Sequence, residues 1–125
     1  MTADDHAVTL VEVAARAASD KLATNILAFD VSDQLAITDA FLLASASNDR
    51  QVKAIVDEIE DKLREVGAKP IRREGQREGR WVLLDYGEIV VHVQHEEERA
   101  FYALERLWRD CPALPLPADV TRPGG

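Results

Sequence analysis

The sequence predicts a mixed α/β domain in which helices flank a five-stranded mixed sheet. Along the chain the predicted elements follow the order helix, two strands, helix, three strands, helix. One predicted strand, residues 40–45, is nearly all apolar, which is typical of a strand at the centre of a sheet. Residues 48–66 carry apolar side chains at steps of three and four, the spacing of an amphipathic helix. Because helices and strands alternate within one chain of 125 residues, we expect them to share one core.

The first predicted helix covers residues 9–20. Thr9 and Glu12 have the spacing of a capping box, in which each side chain accepts a hydrogen bond from the other residue's backbone N–H. Small and aliphatic side chains share one face of this helix: Leu10, Val13, Ala14 and Ala17. Residues 1–8 carry no such pattern, and we expect them to form a flexible arm outside the domain.

Shorter strands and a well-defined second helix follow. The strands outside the later hairpin are predicted at residues 22–31, 40–45 and 70–74. Asn48, followed by Gln51 three positions on, is typical of a helix start. Gly67 lies where a helix commonly ends on a left-handed residue, so the second helix is expected to end just before it.

A β-hairpin carries the densest set of aromatic and polar side chains in the sequence. Its strands are residues 81–85 and 88–93, joined by Tyr86-Gly87. Glycine tolerates the positive φ that tight hairpin turns need. Asp85 and Glu88 are expected to face each other across this turn, and a partner's cation would relieve their repulsion.

A last amphipathic helix is predicted ahead of Pro112. Its apolar stripe consists of Phe101, Leu104, Leu107 and Trp108. Residues 112–125 hold four of the five prolines and no periodicity, so they are predicted to be a disordered tail. The domain is therefore expected to span residues 9–111.

The composition is that of an ordinary globular domain with an acidic balance. A net charge of −8 argues against binding to free nucleic acid, which needs an excess of Lys and Arg, but suits a basic protein partner. No apolar run approaches the roughly 20 residues that span a bilayer, and the acidic N-terminus does not resemble a secretory signal. A single cysteine fits a reducing compartment, so we expect a cytoplasmic protein with no membrane contact.

The residues do not assemble a recognisable catalytic, metal or cofactor site. His92 and His95, with the glutamates at 96–98, lack the helical spacing of a zinc site. Cys111 has no nucleophile signature around it. The loop at residues 45–49 opens a helix and could hold a phosphate on backbone N–H groups, but it lacks the glycines and the lysine of a phosphate loop. We expect no cofactor and no enzymatic activity, with a nucleotidyltransferase-like enzyme or nucleotide-binding protein as the alternative.

A group of basic residues precedes the hairpin. It consists of Lys69, Arg72, Arg73, Arg77 and Arg80. One interpretation is a solvated loop neutralised by Glu74 and Glu78. The other is a local contact with RNA phosphates inside a larger complex.

Several motifs together resemble the ribosomal silencing factor family, the Iojap-like proteins. The resemblance covers about residues 9–111, and its motifs are specific only in combination. They are Glu74-Gly75, Trp81 to Gly87, Val90-Val91-His92, and Arg99-Ala-Phe101-Tyr102-x-Leu104-Glu105-x-Leu107-Trp108, with Lys21 to Ile26, Thr38-Asp39 and Ser47-x-x-Arg50-Gln51-Val52 upstream. The chain departs from the family pattern at Asn25, where an aspartate is usual, at Ala40, where an aromatic is usual, and in its proline-rich tail.

The resemblance implies a nucleotidyltransferase-like fold without catalytic residues, in a cytosolic protein that can form homodimers. It implies binding to the large ribosomal subunit through conserved ribosomal protein fourteen of that subunit. A protein bound there would block joining of the small subunit and repress translation when nutrients are short.

The hairpin and the last helix are the expected contact surface, because they combine aromatic anchors with acids that suit a basic partner. The expected contact residues are Trp81, Leu84, Asp85, Tyr86, Glu88, Tyr102 and Glu105, and the expected RNA-proximal residues are Arg72, Arg73, Arg77 and Arg80.

Overall fold

A computed structural model describes residues 3–121 and contains the expected five-stranded mixed sheet. The helices in this range are α1 Asp5–Asp20, α2 Asp49–Glu65, α3 Glu96–Tyr102, α4 Leu104–Leu107 and α5 Ala118–Thr121, and the strands are β1 Thr24–Asp30, β2 Ala40–Ala46, β3 Arg72–Glu74, β4 Trp81–Asp85 and β5 Ile89–His95. The order across the sheet is β1-β2-β5-β4-β3. The central β2–β5 pair is parallel and the other pairs are antiparallel.

Helices α1 and α2 cover one face of the sheet. Alanines on α1 are fully buried, so this helix approaches its neighbours closely, while α2 contributes larger side chains such as Ile55 and Ile59. Leu42, Leu84 and Ile89 meet them from the strands and have no exposed surface. Burial of these aliphatic side chains, at roughly 25 cal/mol per Å² of apolar area, supplies the main driving force for folding.

The opposite face of the sheet is only partly covered. Phe41 on β2 belongs to a second, smaller apolar cluster with Phe29, Val31, Leu43 and Cys111. Leu104 and Trp108 pack on it from outside, and the Trp108 ring meets Phe41 edge to face with 5.1 Å between ring centroids. This cluster covers the β1–β2 half of the face and leaves the β4 half more accessible.

The prediction of a flexible arm is wrong for residues 3–8. Helix α1 begins at Asp5, and Asp4 caps it by accepting a hydrogen bond from the Ala7 N–H at 2.9 Å. The Ala3 N–H donates to Asp30 at 2.8 Å, which ties this segment to β1. Thr9 does not cap the helix, because its hydroxyl donates to the carbonyl of Asp5. Residues 1–2 lie outside the described range.

The prediction of a disordered tail is wrong for residues 112–121. This segment runs along the outer edge of β1. The backbone N–H of Asp30 donates to the Pro112 carbonyl at 2.8 Å, and the backbone N–H of Leu114 donates to the Ala28 carbonyl at 2.9 Å. Leu114 and Val120 then pack against the main core. The apolar residues of this segment are separated by prolines and pack individually against the core. An ordered course here therefore does not require the apolar spacing of a helix or a strand. Residues 122–125 lie outside the described range.

The last predicted helix is broken into α3 and α4. Ala103 separates them in the left-handed conformation, with φ of 45°. The expected apolar stripe is therefore divided: Leu104 and Trp108 pack on the sheet, whereas Phe101 and Leu107 are 81% and 72% exposed.

Within residues 3–121, every helix is too short or too polar to cross a bilayer.

Candidate functional site

The accessible half of the second sheet face is the candidate site, called here the open face. It is formed by Trp81, Leu83 and Asp85, which lie at every second position of β4, share one face of the strand and are half-buried. Trp81 lies opposite Gln94 of β5, and Leu83 lies opposite His92. Tyr102, at the end of α3, completes the surface.

Trp81 is held in place from two sides. Its indole N–H donates to Nδ1 of His92 at 3.2 Å. The Tyr102 ring lies on its other side, with 4.8 Å between ring centroids and a tilt of 48°. These contacts restrict the rotamers of both aromatic side chains, so Trp81 and Tyr102 would lose little further side-chain entropy on binding a partner.

The backbone beneath Trp81 requires a glycine at position 75. Gly75 has φ of +83°, and a Cβ atom there would lie 2.0 Å from the Trp81 carbonyl oxygen. Only glycine permits this close approach, so the Glu74-Gly75 motif supports the position of β4.

His92 is buried and neutral. It lies between Trp81 and Phe41, and its ring meets Phe41 edge to face at 5.2 Å. Burial lowers the pKa of His92 to about 4, so at neutral pH its Nδ1 keeps the lone pair that accepts the Trp81 hydrogen bond. His92 therefore fixes the orientation of Trp81.

Acidic groups border the open face, but they are not opposed as predicted. Asp85 pairs with Val90 across the hairpin, and its carboxylate accepts from the Gly87 N–H at 2.8 Å. Glu88 lies in the turn and contacts His6 at 2.7 Å. The expectation that Asp85 and Glu88 face each other is wrong, because the turn includes Glu88 as well as Tyr86-Gly87 and β5 begins only at Ile89.

Two of the expected contact residues point into the protein. Leu84 has no exposed surface and lies in the core beneath α1 and α2. Tyr86 is also buried on that side, and desolvation raises its pKa to about 12. Side chains alternate between the two faces of a strand, so Leu84 and Tyr86 lie on the face opposite to that of Trp81 and Asp85. The same alternation could have identified Leu83, which the prediction missed.

The expected RNA-proximal arginines are mostly paired with acids. Arg73 forms an ion pair with Glu60, and Arg72 lies 3.2 Å from Glu74. Arg80 contacts two carboxylates of α3. Among residues 3–121, these pairings support the interpretation of a neutralised surface for three of the four arginines, and Arg77 is the exception.

The acidic start of α3 brings three potential ligand groups together. Ligand atoms of His95, Glu97 and Glu98 lie within 4.8 Å of one another. Arg80 already occupies this cluster, since its guanidinium lies 2.8 Å from both carboxylates and its hydrogen bond lowers the pKa of Glu97. His95 Nδ1 caps α3 by accepting from the Glu97 N–H. The cluster is thus explained by helix capping and charge pairing.

These features define a small mixed α/β domain with one sheet face buried under helices and the other presenting a fixed aromatic pair beside carboxylates. Comparison with known proteins identifies the domain. A family model described as "Ribosomal silencing factor during starvation" matches residues 4–123, and the chain belongs to this ribosomal silencing factor family.

Individual relatives agree with the family match. The chain is 44% identical over 108 residues to "Ribosomal silencing factor RsfS" of Bacillus subtilis, covering 86% of this chain and 92% of that protein. It is 32% identical over 125 residues to "Protein Iojap, chloroplastic" of Zea mays, covering 96% of this chain and 53% of that one.

Solved structures share the fold. A crystal structure of a Chromobacterium violaceum protein has a TM-score of 0.78 at 33% identity, covering 81% of this chain and 84% of that one. A crystal structure of a Bacillus halodurans protein has a TM-score of 0.76 at 38% identity, covering 86% of this chain and 98% of that one.

Proposed function

We propose that this protein is a cytoplasmic translational repressor that binds the large ribosomal subunit through conserved ribosomal protein fourteen. Bound there, it sterically blocks joining of the small subunit when nutrients are limiting. The family match supports the silencing role under starvation. The relatives carry silencing-factor names, which describe regulation and not catalysis.

The open face is the proposed contact surface, and the Trp81–Tyr102 pair is the observation that supports it most directly. Large aromatic side chains with restricted rotamers are typical interface anchors. Asp85 lies on the same face of β4 as Trp81, Glu105 lies on α4 shortly after Tyr102, and both are partly accessible. A ribosomal protein surrounded by RNA is basic, so these carboxylates and the net charge of −8 favour its approach.

Binding of purified protein to separated ribosomal subunits, at two salt concentrations, tests this proposal. Trp81→Ala and Asp85→Ala should each weaken binding to the large subunit by about 1–3 kcal/mol, the range of interface hot spots. Asp85→Ala should lower the melting temperature by only a few degrees, because it removes one turn hydrogen bond, from the Gly87 N–H, and its carboxylate is partly solvated.

Asp61→Ala is the matched control. It removes the same charge from α2, on the opposite side of the molecule from the open face. Equal binding by the Asp85 and Asp61 variants would show that the contact lies elsewhere. Failure of the parent protein to slow 30S–50S joining in a light-scattering assay would contradict steric repression.

The free protein is further proposed to form homodimers. Exposed Phe101 and Tyr102 extend the apolar surface of the open face, and such surfaces commonly associate. Sedimentation velocity over a range of concentrations should show a dimer that Phe101→Ser weakens. A monomer at all concentrations would contradict this part of the proposal.

A further inference from the structure

Arg99 is an arginine buried beneath the open face. It is 4% exposed, although a guanidinium is among the most costly groups to remove from water. Its Nε lies 3.3 Å from both carboxylate oxygens of Glu105, and its Nη1 lies 3.5 Å from the Ser45 hydroxyl on β2. Arg99 therefore joins α3, α4 and the sheet.

The pairing of Arg99 with Glu105 depends on the break between α3 and α4. In a continuous helix, residues six apart lie roughly 120° apart around the axis and do not meet. The left-handed Ala103 turns the chain so that Glu105 returns to Arg99. The Ala103 N–H donates to the Arg99 carbonyl at 3.0 Å as the last backbone hydrogen bond of α3, and a change of the Arg99 side chain leaves that group in place.

Tyr102 is the last residue before this turn. Its position on Trp81 is therefore set by where α3 stops and how the chain leaves it. A left-handed alanine is an uncommon backbone state that persists only where surrounding contacts impose it. The ion pair between buried Arg99 and half-buried Glu105 and the sheet contact at Ser45 are contacts of that kind.

We infer that Arg99 is a positioning residue, which holds Tyr102 against Trp81 and Glu105 at the rim of the open face without itself touching the partner. This role rests on the proposed function of that face. Arg99 then governs binding through the turn at Ala103.

The test compares Arg99→Met with Tyr102→Ala and with the double variant, in binding to isolated large subunits. Arg99→Met should weaken binding at least tenfold. The double variant should lose clearly less binding than the sum of the two single losses, because both changes remove the same aromatic pair and only the placement of Glu105 is left to lose. Arg64→Met is the control, since Arg64 is an exposed arginine on α2 paired with Asp61.

A spectroscopic measurement separates positioning from a general loss of stability. In a Trp108→Phe background Trp81 is the only tryptophan, so its emission and near-ultraviolet dichroism report its contact with Tyr102. Arg99→Met should shift these signals in the same direction as Tyr102→Ala while the protein remains folded. If Arg99→Met does not fold, Glu105→Gln, a change at a partly solvated residue, should produce the same shift.

Three outcomes would overturn the inference: fully additive losses in the double variant, an unchanged Trp81 spectrum in both the Arg99 and Glu105 variants, or a lower melting temperature with unchanged binding. Should Trp81→Ala and Tyr102→Ala leave subunit binding intact, the proposed function fails instead. The Trp81 spectrum would then still decide whether Arg99 positions Tyr102.

Discussion

Neutral, buried His92 should make the protein lose stability in mild acid, and His92→Asn should remove that loss. Asparagine keeps an oxygen that can accept the Trp81 indole hydrogen bond but has no titrating ring. In the folded protein burial lowers the pKa of His92 to about 4, from an ordinary value of 6.5. Between these two values the unfolded chain binds a proton that the folded chain does not bind.

This difference in bound protons sets the sign and the size of the change in the free energy of unfolding. The destabilisation caused by His92 is small above pH 6.5, grows as the pH falls and is complete below about pH 4. At about 1.4 kcal/mol per pH unit, the free energy of unfolding falls by about 3 kcal/mol. That is a large part of the roughly 5–15 kcal/mol of a typical domain.

Urea unfolding of both proteins at several pH values between 7.5 and 4 measures the effect. The carboxylates are common to both, so they largely cancel in the difference between parent and variant. That difference should change by about 3 kcal/mol in favour of His92→Asn as the pH falls. Parallel pH profiles would refute the reasoning, because they would mean that His92 takes up its proton equally well in the folded state.

Three further changes test the fold. Gly75→Ala should lower stability by clearly more than Gly67→Ala, because both glycines have positive φ but only Gly75 has a backbone atom within 3 Å of the added Cβ; equal melting temperatures would contradict the close approach to Trp81. Trp108→Ala should cost about 3 kcal/mol through its lost packing on Phe41, measured by chemical denaturation, and a cost near zero would place its ring outside the cluster. Truncation after Cys111 should lower the melting temperature by several degrees, because it removes two backbone hydrogen bonds to β1 and the burial of Val120; an unchanged melting curve would show that this segment adds nothing.

Local patterns predicted those parts of the fold whose cause is local. The apolar run of β2 and the Asn48 cap of α2 could be predicted because each depends on residues that are close together in the sequence. The course of residues 112–121 was missed because its hydrogen bonds go to β1, more than eighty positions earlier. Ala103 was missed for a similar reason: alanine favours helix, and the contacts that impose its left-handed conformation are tertiary.

The candidate site was predicted in part. Trp81, Asp85, Tyr102 and Glu105 lie on or beside the open face, and their contact with a partner stays a prediction. Leu84 and Tyr86 were included wrongly because hairpin residues were taken together without separating the two faces of β4. The roles of His92 and Arg99 depend on hydrogen bonds between elements, which no sequence spacing indicates.

The parallel pairing of β2 with β5 has a consequence for how the protein folds. Ala40 pairs with Ile89, 49 positions further along the chain, whereas β1–β2 and β3–β4–β5 pair between neighbours in sequence. The two local hairpin units can form early, but joining them closes a long loop, and such closures dominate the folding barrier. Trp81 and His92 come from one unit, while Phe41 and Ser45 come from the other. The Arg99–Ser45 contact that holds α3 on the sheet spans the two units. We therefore expect Tyr102, at the end of α3, to take its place on the open face only after the two units have joined.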